Sequence, residues 1–163
     1  MTLVLAPAVD ADLDDLIALR IEAMRESLER IGRFDPVRAG ERLRGSFSAA
    51  CTRHILDSGQ RVGFVVLKQQ GDGLLLDHLY VKPASQGRGI GAAVLALLFA
   101  DADGRGLSMR VGALKKSDSN RFYLRHGFAQ TGESEWDVYY VRPPAPPATQ
   151  LATPLAKTNG AKA

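Results

Sequence analysis

Gln86-Gly87-Arg88-Gly89-Ile90-Gly91 sets three glycines on alternate positions between two apolar runs. Glycine lets a backbone approach a ligand closely with its N–H groups exposed. A helix starting there adds unpaired donors and the positive end of a dipole. Together they make a cradle for a phosphate or diphosphate. The run follows a strand-like stretch at residues 74–81 and the connector Lys82-Pro83-Ala84-Ser85, and it leads into a helix-like stretch at residues 92–100. A glycine-rich turn that holds no ligand is the plain structural alternative.

Three nucleotide motifs compete for these glycines. A P-loop requires Gly-Lys-Ser/Thr after its spacer, and no such run occurs. A dinucleotide fingerprint is matched in form by Gly87, Gly89 and Ala92. It also wants an acidic residue about 20 positions further on to hold a ribose. Residues 107–114 contain none, and no second βαβ half follows. The third reading takes Gln86, Gly89 and Gly91 as Gln-x-x-Gly-x-Gly. This resembles the pyrophosphate loop of the acetyl-CoA-dependent N-acetyltransferases of the GNAT type. The Val81-Lys82-Pro83 exit, the following helix and the run from Ser119 to Phe128 are similar to that family too. The resemblance spans residues 2–142, densest in the glycine loop and thinnest before Arg61.

The resemblance implies an α+β protein of the GNAT acyl-CoA N-acyltransferase fold, with a mixed central sheet flanked by helices and one strand splayed at the cofactor site. Acetyl-CoA would be the co-substrate, its diphosphate held by Gln86, Gly87, Arg88, Gly89, Ile90, Gly91 and Ala92. Its pantetheine arm would pair with the backbone of Leu79, Tyr80 and Val81, residues that side-chain character alone reads as a buried strand. Tyr123 occupies the tyrosine of the family's Phe-Tyr-x-x-x-Gly-Phe signature, here Phe122, Tyr123, Gly127 and Phe128. A phenol titrating near ~10 can protonate a departing thiolate whose acid titrates near ~8.5; a packing aromatic is the alternative. Lys116 stands where the family usually has a cofactor-contacting asparagine, and Asn120 is not its counterpart.

An amine titrating near ~10.4 must lose a proton before it attacks. Asp77 lies on the strand face of Leu79, with His78 pointing the other way, and the resemblance implies that an acidic residue at this position receives a cationic amine. Glu22, Glu26 and Asp35 are further acceptor-site candidates that spacing does not separate. The acceptor would be a small-molecule or protein amine. A catalytically silent acyl-CoA-binding module and a dinucleotide-binding regulator are the competing functions.

Composition sets the frame. The 163 residues are 45% hydrophobic and 24% charged, with a net charge of +3, which are globular values. The basic residues are scattered and aromatics make up only 7%, so nucleic acid is not the expected partner. No run is long enough for a membrane span. Cys51 is the only cysteine, and residues 1–9 lack the pattern of an export signal. A cytoplasmic location is the expectation. No grouping of His, Cys and carboxylates suggests a metal.

Hydrophobic periodicity predicts the order β-α-α-β-β-β-α-β-α-β-β over residues 1–142. In the first helix, Leu13, Leu16, Ile17, Arg20, Ile21, Met24, Leu28 and Ile31 recur at three and four. The many arginines and carboxylates between residues 20 and 44 read as a solvated face. The last two strands form a hairpin across residues 132–135, where Trp136, Tyr139 and Tyr140 offer either a homodimer interface or a core edge. Residues 143–163, rich in proline and alanine, read as a disordered tail.

Overall fold

The computed structural model describes residues 1–146. The elements follow the expected order: β1 Leu3–Pro7, α1 Leu13–Arg30, α2 Pro36–Ser46, β2 Thr52–Asp57, β3 Gln60–Gln70, β4 Gly73–Val81, α3 Ile90–Gly104, β5 Met109–Leu114, α4 Ser119–Arg125, β6 Ala129–Glu133 and β7 Asp137–Arg142. One seven-stranded sheet runs β1-β2-β3-β4-β5-β7-β6. Among the described residues only the β4–β5 pair is parallel, because α3 carries the chain back across the sheet between them. This is the mixed, helix-flanked α+β sheet expected of the sequence.

Each face of the sheet buries its own apolar set. Ile90, Val94, Leu95, Leu98 and Ala102 of α3 pack with Leu74, Leu76, Met109 and Val111 on one side. Leu16 and Leu19 of α1 and Leu43 of α2 pack with Phe64 and Val66 on the other. Local signals hold the helix starts. Asp35 accepts a hydrogen bond from the Arg38 amide at the head of α2, with Pro36 behind it. Asp12, just before α1, accepts from the Val9 amide and lies 2.9 Å from His54 Nε2 and 3.2 Å from Arg61. This ties the entry of α1 to β2 and β3.

Two strand irregularities build the site. Val66 of β3 pairs with His78 and Leu67 with Leu76, so Asp77 is an extra, bulged residue. Beyond it β4 leaves β5: their pairing covers only Leu74–Met109, Leu75–Arg110 and Leu76–Val111. A bulge bends and twists its strand, and the two parallel strands diverge into a wedge from Asp77 onward. The splayed strand expected of the fold is therefore β4.

The hairpin differs in detail from expectation. A register shift between Gln130 and Gly132 extends β6 through Glu133. The turn falls instead at Ser134, whose amide donates to the Asp137 carbonyl. Of the three hairpin aromatics Tyr140 is buried and donates to Asn120 Oδ1 at 2.7 Å. Only Trp136 and Tyr139 remain exposed. Arg142 grips Asp103 at the end of α3 with two hydrogen bonds, and the Ala145 amide adds another to the same carboxylate. The rest of the expected tail, residues 147–163, lies outside the described residues.

Candidate active site

The glycine loop turns the chain from the end of β4 into α3. Gly87 and Gly89 have φ of +76° and +79°, the left-handed region where a Cβ is strained. The amides of residues 87–92 donate to no protein acceptor among the described residues; the ladder of α3 begins with Ala93 N–H donating to Gly89 O. These free donors face a cleft of about 640 Å³ bordered by Gly87, Gly89, Ile90, Gly91 and Ala92. Gln86 also borders it, while its amide nitrogen donates to Val81 O at 2.9 Å and pins the loop to the strand. A Cβ on Gly91 would sit 3.1 Å from the Phe122 ring, so this glycine lets α3 lie close against α4. Arg88 differs from its neighbours, because its guanidinium pairs with Asp57 at 2.7 Å. What it offers the cleft is its main chain.

The wedge between β4 and β5 opens off this cleft as a space of about 150 Å³. Leu79, Val81, Gln86 and Tyr123 border both compartments. Tyr123 is fixed by edge contacts with Phe122 and Phe128, at ring separations of 5.4 and 5.3 Å. Its ring is buried, and burial pushes its phenol above the usual tyrosine range, with Tyr80 adding to the effect. At neutral pH it therefore carries its proton.

Asp77 does not share the face of Leu79. The bulge resets the alternation, so Leu79 and Val81 join the α3-side core while Tyr80 packs on the α1 and α2 side. The Asp77 carboxylate lies 3.0 Å from Lys68 Nζ and 3.7 Å from His78 Nε2. Lys68 also donates to the Ser46 carbonyl at the end of α2. His78 is buried among Phe64 and Tyr80, and its Nε2 has no hydrogen-bond partner among the described residues. Burial lowers its imidazole from 6.5 to about 4; Asp77 opposes this, while Arg20, Arg42 and Lys68 reinforce it. The ring is neutral at pH 7.

A third compartment, of about 200 Å³, continues beyond Asp77. Met24, Asp77, Tyr80, Gly112 and Leu114 border both it and the wedge. Arg20, Arg33, Arg38 and Arg42 line it from α1, α2 and the segment joining them. Arg20, placed by the sequence on the apolar stripe of α1, is only 4% exposed. The solvated face expected of these arginines is thus, in part, a pocket wall. A charged residue at an apolar-stripe position is the signal that marks it.

The expected residues divide among the compartments. The loop residues, Leu79, Val81 and Tyr123 gather at the cleft, and Tyr80 and Asp77 at the wedge and arginine pocket. Of the acceptor candidates, Asp35 borders the arginine pocket and Glu26 the cofactor-side cleft; Glu22 borders none of the three. Lys116 adopts φ +67° on a loop where its carbonyl accepts from Arg30, and it borders none of them. Asn120 ties the end of β5 by donating to Leu114 O. Among the described residues no three His, Cys, Asp or Glu side chains converge as a metal site, and no helix is long and apolar enough to cross a membrane.

Comparison with known proteins bears on this arrangement. Residues 50–130 match a family model described as an acetyltransferase (GNAT) domain. No curated protein sequence gives a significant match. Solved structures are similar in fold. The PaiA N-acetyltransferase of Thermoplasma acidophilum, in complex with coenzyme A, has a TM-score of 0.73 at 18% identity, over 88% of this chain and 99% of its own. An acetyltransferase of Thermus thermophilus gives 0.70 at 20% identity, over 88% and 97%. The ribosomal-protein-S18-alanine N-acetyltransferase of Escherichia coli gives 0.66 at 14% identity, over 90% and 97%.

Proposed function

Because the chain belongs to the GNAT acetyltransferase family, we propose that it moves the acetyl group of acetyl-CoA directly onto the nitrogen of an amine, with Tyr123 protonating the departing thiolate. The observation that carries this reading is the continuity of the cleft and the wedge at Tyr123, below a row of unpaired loop amides. The coenzyme A bound by the Thermoplasma relative supports the same use of the cleft here. The loop amides from Gly87 to Ala92 bind the diphosphate. The freed edge of β4 at Leu79, Tyr80 and Val81 pairs with the pantetheine arm.

The thioester then lies in the wedge, where a β4 amide polarises its carbonyl. The amine lone pair attacks the carbonyl carbon, and the oxyanion collapses with cleavage of the C–S bond. The sulfur takes the phenolic proton of Tyr123. The nitrogen sheds its proton to water through the open wedge, and Tyr123 regains one from the same solvent. Burial raises the phenol, but the thiolate leaves beside the same buried ring, where partial desolvation raises its own proton affinity. Asp77, at the boundary of the wedge, receives the incoming ammonium, which loses its first proton to water before its lone pair attacks. The lone Cys51 fits a reducing cytoplasm.

The test is release of free CoA thiol from purified protein, acetyl-CoA and an amine panel. Tyr123→Phe is expected to lower kcat by about 100-fold with acetyl-CoA affinity unchanged. Wild-type turnover in that variant would remove the phenol from the reaction.

A further inference from the structure

The pocket beyond Asp77 has an unusual charge balance. Arg20, Arg33, Arg38 and Arg42 line it, and among the described residues none of the four guanidinium groups has a carboxylate within 4.0 Å. Of the acids beside them, Asp77 pairs with Lys68, Asp35 caps α2, and Asp137 enters the wall from the start of β7. Arg20 is the most telling. It is 4% exposed, Nη1 donates to Ala39 O, its guanidinium stands 5.8 Å from the Tyr80 ring, and Nε has no partner. A buried charge without a counter-ion is costly, and an anion held in a fork of N–H donors offsets that cost. Arg33 lies 3.8 Å over the Trp136 ring, which orders a second guanidinium at the same rim.

We infer that this pocket takes the carboxylate of a small acidic amine acceptor, an amino acid or a related amino-carboxylate. The inference rests on the amine-acetylation reading above and names its acceptor class. The geometry orients the molecule: Asp77 borders both wedge and pocket, whereas the four arginines border the pocket and not the wedge. The amine lies at Asp77, next to the thioester, and the acid group lies beyond it against Arg20 and Arg42. A polyamine or a basic peptide would have to place positive charge among four guanidinium groups. The pocket of about 200 Å³ adjoins a further space of about 350 Å³ at Arg42, Asp77 and Gly112, which gives room for a small amino-carboxylate.

Two measurements on the full chain test this. The first compares matched acceptors by thiol release: glycine, β-alanine and glutamate, their carboxamides, and spermidine. An acid is expected to exceed its amide in kcat/KM by about tenfold or more. Arg20→Gln should erase that preference through KM, with acetyl-CoA affinity intact; the exposed Arg42→Gln, which spares the core, should weaken it. The second needs no turnover. Trp136 is the only tryptophan, and succinate should change its fluorescence saturably where succinamide does not. Amides or spermidine working as well as the acids, or succinate failing to bind, overturns the inference while leaving acetyl transfer standing. Succinate binding with no turnover on any acceptor upholds the anion pocket and defeats the transfer reading.

Discussion

The two ends of the proposed reaction channel are built from different materials. At the cofactor end the contacts come from main chain: six successive amides around Gly87 and Gly89, and the open edge of β4. At the acceptor end they come from side chains, arginines of residues 20–42 and Trp136. The family match covers residues 50–130, which contains the loop, the bulge, the wedge and Tyr123 but none of those arginines. A backbone cradle is set by glycine conformation and serves one constant ligand. A wall of long side chains can change with little cost to the fold, so on the proposed reading it sets acceptor choice.

This contrast can be broken first at the loop. Gly89→Ala places a Cβ at φ +79°, a strain of about 1–2 kcal/mol that the loop relieves by moving its amides. CoA affinity should fall about tenfold or more, while the succinate response of Trp136 stays as in the wild type. Loss of both together would show that the ends are not independent.

A smaller effect sharpens the acceptor end. His78 is held at about 4 rather than 6.5, so the unfolded chain binds the extra proton first. The stability this contributes is fully present above about pH 6.5 and is lost as pH falls toward 4. Thermal melts of the ligand-free protein should show Tm dropping through that window. His78→Gln should flatten the slope there; equal slopes would mean that His78 does not titrate as placed.

Much of this architecture is legible in the sequence, for identifiable reasons. The element order follows from periodicity, since each strand and helix buries one face. The loop is legible because only glycine occupies φ near +76° and +79° without strain. Tyr123 is found through its flanking Phe122, Gly127 and Phe128. The bulge at Asp77 is not legible, because it depends on the register of β3 against β4; assuming ideal alternation assigns Asp77 to the wrong face. The arginine pocket is hidden for a related reason. Residues 20, 33, 38 and 42 meet only when α1 and α2 fold over β4, and Trp136 arrives from nearly 100 positions later. Arg20 on an apolar stripe is the one trace they leave.

The central claim is that loop amides hold a diphosphate and so aim a thioester into the wedge. Isothermal calorimetry with CoA and with pantetheine, which lacks the diphosphate, tests it most directly. Saturable CoA binding, with pantetheine weaker by about 100-fold or more, is the predicted result, since charge-assisted hydrogen bonds contribute about 1.5–3 kcal/mol each. No heat with CoA, or equal binding of the two, would contradict it.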